Sequence, residues 1–225
     1  MKGEKSDIKR IWMYGKIANL KKHLGNESTK LVIRRTDVYT DSFEQFKSIQ
    51  FLSLQKPIQI AYINEEAQDA GGLFRDWLTL LIKEILRPEN GLFITSDTEH
   101  LSYIINRFSE KSKKNHLQHF YFFGQILGKA LFERVPVCAF LNQIIFKYIL
   151  DMKIDFDDLE FYDLQIFISL QFLRDNPICK SEMYTEFVAR EKIPHSDEMT
   201  ENELIENGKN ILVDDENKFE FISKL

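Results

Sequence analysis

Residues 58–86, IQIAYINEEAQDAGGLFRDWLTLLIKEIL, change their hydrophobic period within a few positions. Ile58, Ile60 and Tyr62 alternate on one face, the spacing of a half-buried strand. Beyond a pair of glycines, Phe74, Trp77, Leu78, Leu81 and Ile85 fall at helical spacing, with Arg75, Asp76, Thr79 and Lys83 off that stripe. A strand that feeds a long amphipathic helix puts both element types on one core. Nine glycines and five prolines are few for 225 residues, which favours long helices over a turn-rich β fold. The fold class expected is α+β and predominantly helical.

The rest of the chain can be punctuated in the same way. Ile11, Trp12, Ile17 and Leu20 suggest a first helix within residues 8–24, and LVIRR reads as a short strand. Ser42 and Gln45 fit a capping box, with the hydroxyl and the amide covering free backbone groups, so a helix is expected from Phe43. Pro88 ends the helix that follows the glycines. Further helices are predicted over 116–134, stopped by Pro136, and over 139–150. Asp163 is placed to cap LQIFISLQFL, which is apolar nearly all round. MYTEFVAR reads as a strand, and Asn207-Gly208 signals a tight hairpin. A last helix begins after Asp214-Asp215. The polar stretch 191–203 is the best candidate for a joint, and no repeat is found.

Composition removes whole classes of function. At 44% hydrophobic and 29% charged, the chain can pack a core. Nineteen phenylalanines are enough for a core and a binding surface besides. A net charge of −5 argues against nucleic acid as a partner. The basic run KSKKNH, residues 111–116, reads as a solvated loop. Cys138 and Cys179, the only cysteines, point to a reducing compartment rather than a disulfide scaffold. The N-terminus has no signal-peptide core. The most apolar run, FYFFGQILGKALF, is interrupted by Gln125 and Lys129 and is too short to cross a bilayer. A soluble intracellular protein, cytoplasmic or nuclear, is expected.

Searches for chemistry end without an active site. The double glycine follows a strand and opens a helix, yet the run lacks the order and the lysine of a phosphate loop. GQILGK has one residue too few between its glycines and Ala130 where a hydroxyl is needed. Gly124 and Gly128, four apart, read instead as a place where another element approaches closely. His116 and His119 share a helical face but have no acidic or thiol partner at metal-ligand spacing. Cys138, among apolar neighbours, reads as a small core residue; Cys179 has nothing nearby to activate it. No catalytic residue, metal or cofactor is assigned.

Six segments together are more specific. LVIRRTDVYTDSF, INEEAQDAGGLFRDW, NGLF, FFGQILGKALFE, LEFYDLQIFISLQFL and ELIENGKNILVDDENKFEFI occur in the order and spacing of the HECT-type ubiquitin ligase domain, and the resemblance covers residues 31–225. It implies a two-lobed enzyme whose N-terminal lobe docks a ubiquitin-conjugating enzyme and whose C-terminal lobe carries the thioester-forming cysteine. ENKFEFISKL resembles the closing helix of the N-terminal lobe, so the chain is expected to lack the catalytic lobe and to be inactive alone. The resemblance also divides the chain. Residues 1–162 and 203–225 would form a large helical part with short strands, and 163–202 an inserted small α/β subdomain.

Site residues follow from the same resemblance. Ile166, Leu170, Met183, Thr185 and Phe221 match positions of the hydrophobic groove that receives the conjugating enzyme. Asp69, Gly71, Gly72, Arg75 and Gly128 belong to structural signatures, the glycines allowing a backbone turn and Asp69 covering free amides of the next helix. Ubiquitin would be reached indirectly, with a further non-covalent site near 91–105. The rival expectation is a non-enzymatic helical scaffold that keeps the lobe's fold.

Overall fold

A computed structural model describes residues 5–25, 27–65, 70–96, 102–178, 184–194 and 196–225. Asp69, Cys179 and Met183 therefore lie outside the described residues. In chain order the helices and strands are α1 (Ser6–Lys21), β1 (Thr29–Ile33), α2 (Val38–Ser48), α3 (Phe51–Leu54), β2 (Ile58–Tyr62), α4 (Ala70–Ile85), β3 (Phe93–Thr95), β4 (Tyr103–Ile105) and α5 (Ser109–Ser112). There follow α6 (His116–Glu133), α7 (Gln143–Ile149), α8 (Leu159–Tyr162), α9 (Leu164–Asp175), β5 (Val188–Lys192), β6 (Met199–Glu203) and α10 (Lys218–Lys224). The fold is α+β and predominantly helical. Among the described residues no helix is long and apolar enough to cross a membrane. The chain forms two compact units, residues 1–92 with 113–139, and residues 93–112 with 140–225.

In the first unit β1 and β2 pair in parallel, Leu31 opposite Ile60 and Ile33 opposite Tyr62. Parallel strands cannot be joined by a tight turn, and α2 and α3 supply the crossover. Leu31, Ile33, Ile58, Ile60 and Tyr62 are buried, as are Trp77, Leu78, Leu81 and Ile85 along α4. α4 packs against both β2 and α2. The capping box is not formed. α2 begins at Val38, and Ser42 lies buried within it, its hydroxyl accepting from Trp77 Nε1 at 2.8 Å. A buried indole N–H needs an acceptor, and that need outweighs a local cap. Gln45 meanwhile clasps the edge of β1, donating to the Val32 carbonyl at 2.7 Å and accepting from the Val32 amide at 3.1 Å.

α6 lies in the same unit and carries two polar groups into its interior. Lys129 is buried, donating to the Lys56 carbonyl at 2.7 Å and pairing with Glu133 at 2.5 Å. Burial holds its ammonium below the usual lysine range. Glu133 also meets Lys21 at 2.6 Å, which ties α1 to α6. His119 stacks on Phe43 at 3.8 Å, and its Nδ1 lies 2.7 Å from the Tyr39 hydroxyl. Burial, aided by the nearby Lys113 and Lys47, pushes the imidazole down to about 4.

Several expectations need correction. α4 starts at Ala70, so Gly71 and Gly72 form its exposed first turn rather than a joint ahead of it. Among the described residues no close approach occurs at Gly124 or Gly128; a Cβ at either would meet nothing within 4 Å. Cys138 is exposed, not a core residue. Lys113, in the run read as a solvated loop, is half-buried, its ammonium 4.6 Å from the centre of the Tyr39 ring.

In the second unit β3 pairs antiparallel with β4, and β5 with β6. The helix expected from Ala139 starts at Gln143, where Asn142 caps it by accepting from the Ile144 amide at 3.0 Å. Phe140 and Asn142 are held extended by bonds to Tyr103, which delays the helix. Asn207 does adopt the left-handed conformation, at φ 58°. No hairpin follows. Gly208–Asn210 form a 3₁₀ turn, β6 pairs with β5, and Leu212 bridges Glu186.

Two measurements test this packing. Gly128→Ala should raise stability by about 0.5–1 kcal/mol in denaturant melts, since the helix gains a better former at an open position. His119 titrates lower when folded than its ordinary 6.5, so the stability it lends is full above that value and is lost as pH falls towards 4. The melting temperature of the wild type should therefore fall more over that interval than that of His119→Phe, which keeps the stacking and cannot be protonated.

Candidate functional site

A cleft of about 660 Å³ opens in the second unit, and α9 supplies its floor. The helix starts where Asp163 accepts from the Ile166 amide at 2.9 Å, as its sequence predicts. Periodicity then turns Ile166, Leu170 and Leu173 to the same side. Leu170 and Leu173 join Phe187, Val213 and Phe221 in one core cluster, with Phe187 and Phe221 edge to face at 5.5 Å. Ile166 is 38% exposed, whereas Leu170 and Phe221 are only 6% and 5% exposed. The apolar groups that form the floor thus shade from reachable to core.

Ile166, Leu170 and Phe221 line this one cleft. Thr185 is half-buried, its carbonyl accepting from the Val213 amide at 2.9 Å, and it is not among the lining residues. Met183 and Asp69 are outside the described residues, and so are 97–101 of the 91–105 segment. Gly71, Gly72, Arg75 and Gly128 are exposed positions on α4 and α6, in the other unit. Sequence reasoning missed the facing walls. Ile94 and Ile104 come from β3 and β4, where they are paired with each other, and Val188 from β5. The short apolar runs LFIT and SYII were the available signal.

The rim is polar. Arg107, in the turn after β4, is ion-paired with Glu191 of β5. Arg190 pairs with Glu186 at 2.6 Å. Burial pushes the Tyr162 hydroxyl above the usual tyrosine range. Among the described residues there is no cluster of groups that could hold a metal. The arrangement suits burial of an apolar side chain by a partner. The opposite face of α9 leaves Ile168 and Phe172 about half exposed.

The local backbone is tight beside the cleft. A Cβ on Gly208 would stand 2.4 Å from the Phe187 carbonyl oxygen, so only glycine lets the 206–211 turn close over the core phenylalanine.

The HECT-domain (ubiquitin-transferase) profile matches residues 79–225. The E3 ubiquitin-protein ligase HUWE1 of Mus musculus is 29% identical over 216 residues, 96% of this chain and 5% of that protein. HECW1 of Homo sapiens, also an E3 ubiquitin-protein ligase, is 32% identical over 202 residues, 89% of this chain and 12% of that protein. The E3 ubiquitin-protein ligase ptr1 of Schizosaccharomyces pombe is 32% identical over 198 residues, 87% of this chain and 6% of that protein. The chain thus spans a small part of the length of these relatives.

Gly208→Ala should destabilise the protein by about 1–3 kcal/mol, the usual range for overpacking. Chemical denaturation of the variant beside Gly128→Ala would show opposite signs for the same substitution.

Proposed function

Because the chain belongs to the HECT-domain family of ubiquitin transferases, we propose that its second unit docks a ubiquitin-conjugating enzyme in the cleft floored by Ile166, Leu170 and Phe221. The observation that carries this reading is an apolar floor that is solvent-reachable at Ile166. Residues 163–202 would act as the docking subdomain, with Met183 and Thr185 among its partner-contacting positions, and the remainder as the helical support. Asp69, Gly71, Gly72 and Arg75 would take structural roles in that support, whereas Gly128 stands at an open helix position.

A loop of the conjugating enzyme would place an apolar or aromatic side chain over Ile166. One buried anchor contributes about 1.5–3 kcal/mol, which suits a carrier that must leave after delivery. Ubiquitin would then pass to a cysteine on the family's C-terminal lobe, and neither Cys138 nor Cys179 takes that role. Segment 91–105 is the place proposed for a non-covalent ubiquitin contact.

The test is a calorimetric or NMR titration against a panel of ubiquitin-conjugating enzymes. Ile166→Ala should weaken binding by about tenfold, the loss of roughly one anchor's worth of burial, with the far-UV spectrum unchanged. Phe221 is a poorer probe, because truncating a core aromatic opens a cavity and costs about 3–5 kcal/mol of stability. Binding that ignores Ile166 would move the site elsewhere. Silence from folded protein across a broad panel would put the non-enzymatic scaffold ahead.

A further inference from the structure

The two units differ in the sign of their charge. Residues 93–112 and 140–225 hold 22 Asp and Glu against 11 Lys and Arg, a net of −11. The first unit holds 13 against 19, a net of +6. An imbalance of that size raises a field that speeds the approach of opposite charge. The acidic sign prevails around the cleft as well, because the cations that line it are engaged internally. Arg107 is ion-paired with Glu191, Arg190 with Glu186 at 2.6 Å, and Lys192 with Asp197 at 3.7 Å. The carboxylates nearby are freer. Asp163 lines the cleft and caps α9, and among the described residues it has no ion pair. Three exposed glutamates adjoin lining residues, likewise without an ion pair among the described residues. Glu160 follows Leu159, Glu220 precedes Phe221, and the Glu198 carbonyl accepts from the Ile193 amide at 3.0 Å, between Lys192 and Pro194.

We propose that the cleft selects, among ubiquitin-conjugating enzymes, those whose docking face is basic around its apolar anchor, and that Glu160, Asp163, Glu198 and Glu220 set this preference. The inference deepens the docking reading and rests on it. Burial on Ile166 is non-directional and rewards any apolar anchor of similar size. It cannot by itself separate one carrier from another. Charge around the opening can, since a like-charged face is repelled and an opposite one arrives faster. Exposed carboxylates act mainly on the rate of arrival, and salt screens them. That suits a carrier which must be recruited quickly and released afterwards.

The test is stopped-flow association of the whole chain with conjugating enzymes of basic and of acidic surface. Glu160→Lys, Glu198→Lys and Glu220→Lys together should slow a basic enzyme by roughly tenfold at low salt, with dissociation nearly unchanged. Asp163 is left in place, because changing it would also remove the cap of α9. The matching Gln triple should fall between wild type and the Lys triple, as a charge effect requires and a packing effect does not. Raising ionic strength from about 0.01 M to about 1 M shortens the Debye length from about 30 Å to about 3 Å and should erase the difference between variants. Ile166→Ala should act on dissociation instead. A basic enzyme that binds through Ile166 at a rate indifferent to the glutamates and to salt would overturn the charge preference and leave the docking reading standing. Preference for an acidic enzyme would do the same. If no enzyme binds the folded protein, docking and preference fall together. Self-association at low salt, seen by analytical ultracentrifugation and abolished in the Lys triple, would instead make the basic first unit of a second copy the occupant and overturn the proposal.

Discussion

Parallel pairing of Thr29–Ile33 with Ile58–Tyr62 is the constraint from which the first unit follows. Two strands running the same way need a crossover, and α2 occupies it. Among the described residues each strand has one partner, which leaves both with an open edge. Gln45 of the crossover helix closes one edge by bonding both backbone groups of Val32. The apolar face is covered by α4, whose fully buried Trp77 finds its acceptor in Ser42 of the same crossover helix. Sheet, crossover and covering helix are thus locked by side chains that also satisfy polar groups.

The second unit is organised around a smaller cluster, Leu170, Leu173, Phe187, Val213 and Phe221. These residues come from α9, the β5 approach, the 3₁₀ turn region and α10. Their convergence depends on Gly208 passing within contact of the Phe187 backbone. The cleft is the unfilled margin of that cluster. This explains why Leu170 and Phe221 serve core and cleft together, and why Ile166, one turn earlier, is the accessible member. A helix whose apolar positions run nearly all round can supply a core, a cleft floor and an exposed stripe at Ile168 and Phe172 together.

Much of the element pattern was legible in the sequence. The period of two at Ile58, Ile60 and Tyr62, the helical stripe of α4 and the cap at Asp163 all hold, because each is fixed by neighbours a few residues away. Where sequence reasoning erred, a distant group had outbid the local one. Ser42 answers an indole rather than its own helix start. Phe140 to Asn142 are held extended by Tyr103. Asn207 makes its turn, but its flanks pair elsewhere. Cys138 has apolar neighbours in sequence and solvent in space, since neighbours along an extended segment need not be neighbours in a core. Of the candidate site, the α9 and α10 members were named through family resemblance, while the β3–β4 wall was not.

By itself the sequence determined the fold class, the main helices and the strands of the first unit, since hydrophobic period and capping act over one or two turns. The resemblance of its segments also pointed to the HECT-domain family. Only the tertiary structure decided which polar groups meet in the interior, among them Trp77 with Ser42 and Lys129 with the Lys56 carbonyl. It also decided how far each apolar residue of α9 is withdrawn from solvent, and that Arg107 pairs with Glu191, both lining the cleft. The physical reason is range. Propensity and periodicity are set by adjacent residues, whereas desolvation and charge pairing depend on whatever the folded chain brings alongside.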